Sequence, residues 1–343
     1  MKKFALVIKK CFIVAFAISL LLLTQGAGYD YRPEVYLGGI PLGIELESSG
    51  VVVTDTFQIL TTNGVFSPAK DAGILVDDVI LEVNGTEIKS AKDISNKLKE
   101  CNDKESIMLK IGRKGAEKLI FVNPVMDSVS NELRIGVSVS EGISGVGTLT
   151  FITKDGKFGG LGHKISDESS RVAQNSGKIY KCSIFEVKRG IKGKPGELHG
   201  IFHADQGAVG DIVFNDNFGI FGQYFGKTDG LQAIPVARSS EIECGPAYIY
   251  STLSGDVSRR YEVRIEQVND QNEPKEKGLV IKITDKRLLE KSGGIVRGMS
   301  GSPIVQNGRL VGAVTHVLVN DPTSGFGIFI GNMLGKAESV ASK

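Results

Sequence analysis

Apolar and polar positions alternate in short runs along most of this chain, and glycine or a turn dipeptide breaks almost every run. The runs Leu42 to Leu46, Gly50 to Val53 and Val79 to Val83 read as strands, the last closed by Asn84-Gly85, a pair that favours tight hairpin turns. One stretch departs from that period. Ala91, Ile94 and Leu98 recur at helical spacing between Ser90 and Glu100, with Ser90 placed to cap the first turn and lysines toward the end. Ile107 to Ile111 and Lys118 to Val122 return to strand, so residues 30–125 predict a small sheet with a helix. From about residue 130 to 335 the pattern is strand after strand, among them Val137 to Val139, Thr148 to Thr153, Gly210 to Phe214, Val263 to Ile265 and Val280 to Thr284. Short strands broken by glycine predict a barrel or sandwich, and the fold class is mainly β throughout.

The first 28 residues follow a different rule. Lys2, Lys3, Lys9 and Lys10 precede an uncharged apolar run from Cys11 to Leu23, which matches the charged and hydrophobic regions of an export signal and is short for a membrane span. Gly26, Ala27 and Gly28 suit a signal peptidase, while Gln25 breaks the usual small-residue pattern. Export across the cytoplasmic membrane is expected, with residues 1–28 either a cleaved signal peptide or a retained membrane anchor.

Composition narrows the classes of function. At 343 residues, 41% hydrophobic and 23% charged, the chain has material for two globular domains. A net charge of +2 without blocks of like charge gives no field for a polyanion, so nucleic acid is not an expected partner. Beyond the leader only Cys101, Cys182 and Cys244 occur, which writes neither a disulfide framework nor a four-ligand zinc site, and leaves a Cys182–Cys244 pairing open. His199 and His203 have H-x-x-x-H spacing, but Gly200 stands where a zinc peptidase helix needs glutamate. No metal and no cofactor are expected.

The strongest chemical signal is Gly298-Met299-Ser300-Gly301-Ser302-Pro303, followed by Ile304-Val305 and the turn Asn307-Gly308. A serine nucleophile must sit on a sharp turn, with its Oγ facing a carbonyl and backbone N–H groups facing the developing oxyanion, and flanking glycines permit that turn. In a trypsin-like pattern Gly298 and Ser300 supply those oxyanion-hole amides, and Ser302 is an ordinary turn hydroxyl. His163, at the end of Phe158-Gly159-Gly160-Leu161-Gly162, precedes the serine by a domain-scale distance and is the candidate base. His316 follows the serine too closely for that role and is expected to line the substrate edge or pack. For the acid the residues leave Asp205, Asp211 and Asp285 open, and Asp285 also reads as the N-cap of a helix over Lys286 to Glu290.

Two resemblances sharpen this reading. Ser67-Pro68-Ala69, Ala72-Gly73, Asp77-Asp78-Val79-Ile80-Leu81 and Val83-Asn84-Gly85 resemble the core run of the PDZ family across residues 30–125. That resemblance implies a carboxylate-binding loop over Gly39 to Ile44, with Leu42, Gly43 and Ile44 at its core, where a peptide ligand adds a strand. Pro41 removes one donor there, which leaves internal peptide segments as an alternative, and a module that only braces the catalytic domain is another.

Gly145-Val146-Gly147-Thr148, Leu161-Gly162-His163 with Ile165-Ser166-Asp167, and Gly293 through Gly325, including Gly312-Ala313-Val314-Thr315-His316 and Asn320-Asp321-Pro322, resemble the SpoIVB family of stage IV sporulation peptidases. The resemblance implies a PDZ module followed by a trypsin-like double β-barrel, with catalytic residues at Ser300, His163 and Asp285. It also implies self-processing and export from the forespore into the space between the two spore membranes. There a protein substrate is cleaved so that a membrane-embedded protease and a late sigma factor become active. The competing expectations are a quality-control peptidase of the HtrA type, in which PDZ modules follow the protease, and a non-catalytic PDZ scaffold.

Overall fold

The structure, a computed structural model, describes residues 32–102, 105–165, 176–269 and 274–341; the leader read over residues 1–28 lies outside them. The chain opens with β1 (Glu34–Leu37) and the long β2 (Pro41–Thr56). There follow the hairpin β3 (Ile59–Thr61) and β4 (Gly64–Phe66), α1 (Pro68–Asp71), β5 (Val79–Val83), β6 (Thr86–Glu87), α2 (Ala91–Lys99), β7 (Ile107–Arg113) and β8 (Ala116–Val122). The local signals act as expected. Asn84 and Gly85 take φ of +49° and +76° to turn β5 into β6. Ser90 caps α2, its Oγ accepting the Asp93 N–H at 3.1 Å while the Asp93 carboxylate accepts the Ser90 N–H at 2.9 Å.

After β9 (Val125–Met126) and β10 (Leu133–Arg134) comes the longest strand, β11 (Val137–Thr153), then β12 (Lys157–Gly160), β13 (Gly177–Lys188), β14 (Glu197–Phe202), β15 (Gly210–Asp216), β16 (Gly219–Tyr224) and β17 (Ala233–Pro235). Pairings β11–β12, β12–β16, β16–β15, β15–β13, β13–β2 and β2–β11 close a ring of six strands, the first barrel. A second closed barrel has the order β18 (Gly245–Ser251), β19 (Arg259–Val268), β20 (Leu279–Ile283), β23 (Asp321–Phe329), β22 (Arg309–Leu318), β21 (Pro303–Gln306). Between β20 and β21 lies α3 (Lys286–Ser292), and α4 (Ile330–Glu338) ends the fold. The protein is mainly β: a PDZ module and a double β-barrel.

The PDZ module is an insertion, not a leading bead. Its core joins Val51, Val53, Ile80, Ile94, Leu98 and Ile111 with Ile135, which comes after the segment read as the module. Val51 and Val52 of β2 pair with Ile80 and Val79 of β5, whereas residues 42–46 of the same strand pair with β13 in the first barrel. β1 likewise pairs with β11 at Val35↔Thr153 and with β17. Residues 34–46, assigned from sequence to the unit 30–125, thus complete the barrel assigned to 130–335. Local patterning shows that each run is a strand but not which sheet it joins, because that is fixed by pairing partners far away in sequence. β2 and β11 leave the barrel side by side at Glu47↔Gly142 and remain paired to Thr56↔Val137 inside the module.

Apolar clusters join the two barrels, and one of them runs beneath α4. Phe151 and Phe221 of the first barrel, Val305, Leu310 and Ile328 of the second, and Met333 and Ala337 of α4 pack together in it. Full burial of each large side chain contributes about 1.5–3 kcal/mol. The groove between the barrels, where β11 and the turn after β12 meet the Gly298–Ser302 turn and β22, carries the chemistry described next.

Candidate active site

The turn around Ser300 needs its glycines. Gly298 and Gly301 have φ of +93° and +91°, and a Cβ at position 301 would lie 2.1 Å from the Thr148 carbonyl oxygen. Three backbone bonds close the turn: Met299 N–H to Val296 O at 3.1 Å, Ser302 N–H to Met299 O at 2.9 Å and Gly301 N–H to Val314 O at 2.7 Å. Among the described residues, the amides of Gly298 and Ser300 have no hydrogen-bond partner, and both residues line a cavity of about 450 Å³. Two unpaired N–H groups beside a serine hydroxyl can hold an oxyanion. The Ser300 hydroxyl itself donates to Thr315 O at 2.8 Å.

His163 lines the same cavity. It is delivered by a turn after β12 in which Leu161 and Gly162 both have positive φ, +66° and +74°. Its Nδ1 lies 2.9 Å from Lys164 O. A carbonyl oxygen only accepts, so Nδ1 carries the proton and the Nε2 lone pair is free to act as a base. The same peptide unit donates its other end, Ile165 N–H, to Asn215 Oδ1 at 2.9 Å, and Asn215 Nδ2 donates back to Ile165 O at 2.8 Å. Asn215, only 3% exposed at the end of β15, therefore clamps the segment that orients His163. Sequence reading missed it; nothing local distinguishes it from a turn asparagine.

His316 stands beside His163, ring centroids 4.9 Å apart and 38° between planes, with Nδ1 buried and without a partner among the described residues. Burial first, then the neighbouring His163 and Lys277, push its pKa down to about 4, so it is neutral at physiological pH. It lines the cavity together with Lys164, Arg297 and a largely apolar wall that includes Val146, Ile295 and Val317.

Asp285 is not brought to this cavity. Its carboxylate caps α3, accepting from Arg287 N–H at 2.9 Å and Leu288 N–H at 3.3 Å. It also accepts from Glu262 N–H at 3.2 Å and pairs with the Arg287 guanidinium at 2.7 Å. The Arg287 bonds and backbone donors hold its pKa down to about 2. The helix-cap alternative open in the sequence is the one observed, and the lone pairs that would hold an imidazolium are committed elsewhere. Asp205, exposed on the turn Ala204–Gln206, and Asp211, on β15, do not line the cavity either.

Leu42, Gly43 and Ile44 form no ligand loop. They pair with Gly147, Val146 and Gly145 of β11 on one edge and with Lys181, Tyr180 and Ile179 of β13 on the other, so no free edge remains for a peptide. The groove of the PDZ module lies elsewhere, in a cavity of about 220 Å³ between Ile94, Ser95 and Leu98 of α2 and the segment Leu133 to Val137. There Phe57 and Ala69 amides bind the carbonyls of Gly136 and Ile135, while among the described residues the amides of Ile135 and Gly136 are unpaired. The signal that could have found it is Ile135-Gly136-Val137 followed by alternation into β11.

The remaining candidates have ordinary roles. His199 bonds Glu186 at 2.8 Å and His203 bonds Ser183 Oγ at 2.8 Å. Cys101, Cys182 and Cys244 are free thiols, and burial pushes the Cys182 pKa up to about 11, which keeps it protonated.

The description "SpoIVB peptidase S55" matches residues 131–334, well over half of the chain and the whole of the cavity's chemistry. The chain belongs to the SpoIVB peptidase S55 family. A PDZ domain description matches residues 38–123. With the serine turn described above, S55 membership makes the protein a serine peptidase. A Fusobacterium nucleatum protein named as a zinc metalloprotease is 34% identical over 100 residues, and the match spans 29% of each chain, under a third of that relative's length. Among solved structures, the active form of the Rv3671c protease from M. tuberculosis aligns with a TM-score of 0.32 and 14% identity over 59% of this chain and 76% of that one. The inactive form aligns at 0.32 and 15% over 57% and 84%.

Proposed function

We propose that this S55 peptidase is an endopeptidase in which Ser300 is the nucleophile and His163 the general base. The observation that carries the reading is the pair of unpartnered amides, Gly298 and Ser300, in one cavity with the Ser300 hydroxyl and the His163 ring. When a peptide enters, rotation about χ1 takes the Ser300 hydroxyl from Thr315 O to His163 Nε2. Oγ then attacks the scissile carbonyl as its proton passes to the imidazole, and the two amides hold the oxyanion. The imidazolium returns that proton to the leaving amine, and water repeats the sequence on the acyl-enzyme. Lys164 O, polarised through the Asn215 bond to the same peptide unit, keeps Nδ1–H in place. The wall is apolar with Lys164 and Arg297 as its charges, which favours an apolar or acidic substrate side chain over lysine or arginine.

The groove between α2 and Leu133–Val137 suits an extended peptide segment that selects the substrate. Family membership and the basic-apolar leader support export from the forespore, self-processing, and cleavage of a partner between the spore membranes that releases a membrane-embedded protease. The test is cleavage by the purified full chain of itself and of unfolded casein, read by mass spectrometry of the new termini. Cleavage is expected to vanish in Ser300→Ala and persist in Ser302→Ala. Cleavage that survives Ser300→Ala contradicts the reading.

A further inference from the structure

The oxyanion amides are not held by the turn that carries them alone. Thr148, on β11 of the first barrel and 2% exposed, makes three bonds, two of them across the groove to the serine turn. Its hydroxyl donates to Gly298 O at 2.8 Å, its N–H donates to Ser300 O at 3.0 Å, and its carbonyl accepts the N–H of Leu161 at 3.3 Å. The first two bonds fix carbonyls at both ends of the segment Gly298–Ser300, the two residues whose own amides are unpaired. The Gly298 carbonyl belongs to the planar Gly298–Met299 peptide unit, which lies between the two units that carry the Gly298 and Ser300 amides, so holding it fixes the plane from which each amide is set off by a single Cα. The third bond holds the residue that begins the His163 turn. Thr148 is thus the point at which nucleophile, oxyanion amides and base are registered against one another.

Thr150 provides an internal comparison. Two residues along the strand and on the same face, fully buried, its hydroxyl donates to Gly301 O at 2.8 Å. That carbonyl lies beyond the nucleophile and fixes neither end of the Gly298–Ser300 segment. The two threonines share chemistry, burial and strand but differ in which peptide they hold.

We propose that Thr148 is a positioning residue for the oxyanion hole, setting the direction of the Gly298 and Ser300 amides through the Gly298 carbonyl; this rests on the peptidase reading above. Removing the hydroxyl while keeping the shape leaves Gly298 O unheld, so that peptide is tethered only through Met299 N–H to Val296 O and can tilt about that bond. Preorganised oxyanion donors count for roughly 100- to 1,000-fold in rate each, and a misplacement of about 1 Å costs about 100-fold.

The experiment measures the second-order rate of Ser300 phosphonylation by a fluorophosphonate probe in the full chain, with thermal unfolding of each variant alongside. Thr148→Val is expected to label roughly 30- to 100-fold more slowly than wild type. Thr148→Ser, which restores the hydroxyl, should label within about threefold of wild type, and Thr150→Val should lose stability like Thr148→Val but label within about fivefold of wild type. A Thr148→Val protein that labels like wild type overturns the proposal, as does a Thr148→Ser or Thr150→Val protein as slow as Thr148→Val, since the effect would then be packing. A wild-type protein that does not label at Ser300 removes the peptidase reading and this inference with it, a result distinct from the other two.

Discussion

The carboxylate of Asp285 meets the guanidinium of Arg287 at 2.7 Å, and the same carboxylate caps the helix that both residues begin. That relationship makes Asp285 a structural residue of the second barrel. Its pKa is depressed from an ordinary 3.8 to about 2, so its contribution to stability is complete above pH 3.8 and is lost as the pH falls through 2. Asp285→Asn should cost on the order of 2 kcal/mol at neutral pH, with the difference from wild type closing in strong acid, while the folded fraction keeps turnover within about tenfold. Denaturant unfolding at several pH values and cleavage assays check both parts. A stable Asp285→Asn protein whose turnover falls by orders of magnitude would return the carboxylate to the catalytic triad implied by the family resemblance.

Because the PDZ module is inserted where β2 and β11 leave the barrel at Glu47↔Gly142, two excisions should behave differently. Removing residues 30–125 takes β1 and the barrel half of β2 and is expected to leave the chain unfolded. Replacing residues 48–141 with a short hairpin turn should leave both barrels folded and Ser300 reactive, with altered choice of protein substrate. Circular dichroism and protease resistance of the two proteins decide this. A folded, active 30–125 deletion would contradict the strand sharing.

Asn215 acts on His163 through one peptide unit. Asn215→Ala removes both bonds to Ile165, each worth about 1–3 kcal/mol when a buried partner is left unpaired, and should lower kcat by roughly 10- to 100-fold with KM little changed. Asn215→Asp keeps the acceptor for Ile165 N–H and should retain more of kcat. An unchanged kcat in folded Asn215→Ala contradicts the account.

His316 is half-buried and neutral, with its pKa lowered to about 4 from 6.5, chiefly by desolvation. The folded state therefore resists a proton that the unfolded chain accepts, and stability should be full above pH 6.5 and decline as the pH falls toward 4. His316→Phe keeps a ring in place and should flatten that decline, measured as Tm against pH. A Tm profile identical to wild type between pH 4 and 6.5 would show that His316 accepts its proton in the fold.

What could be read from sequence was what is written in consecutive residues. The serine turn declares itself in six adjacent positions, the histidine turn in its glycines, and α2 in its cap. The misplaced peptide loop fails for a reason of the same kind: Leu42-Gly43-Ile44 and Ile135-Gly136-Val137 carry the same apolar-glycine-apolar signal, and only their partners across the sheet distinguish them. Asn215 and Thr148 act on backbone groups 50 and 150 residues away, so no local pattern marks them. Asp285 shows the opposite difficulty, since a cap and a catalytic acid ask for the same residue type and only the surrounding donors decide between them.

The central claim is that Ser300 is an activated nucleophile and not a turn hydroxyl, and covalent capture tests it at that atom. The full chain is treated with a fluorophosphonate, and the adduct is located by peptide mass spectrometry. The account predicts one phosphonyl group on Ser300, absent in Ser300→Ala, strongly reduced in His163→Ala and unchanged in Ser302→Ala. An adduct on Ser302 instead, or equal labelling of the His163→Ala protein, would contradict it.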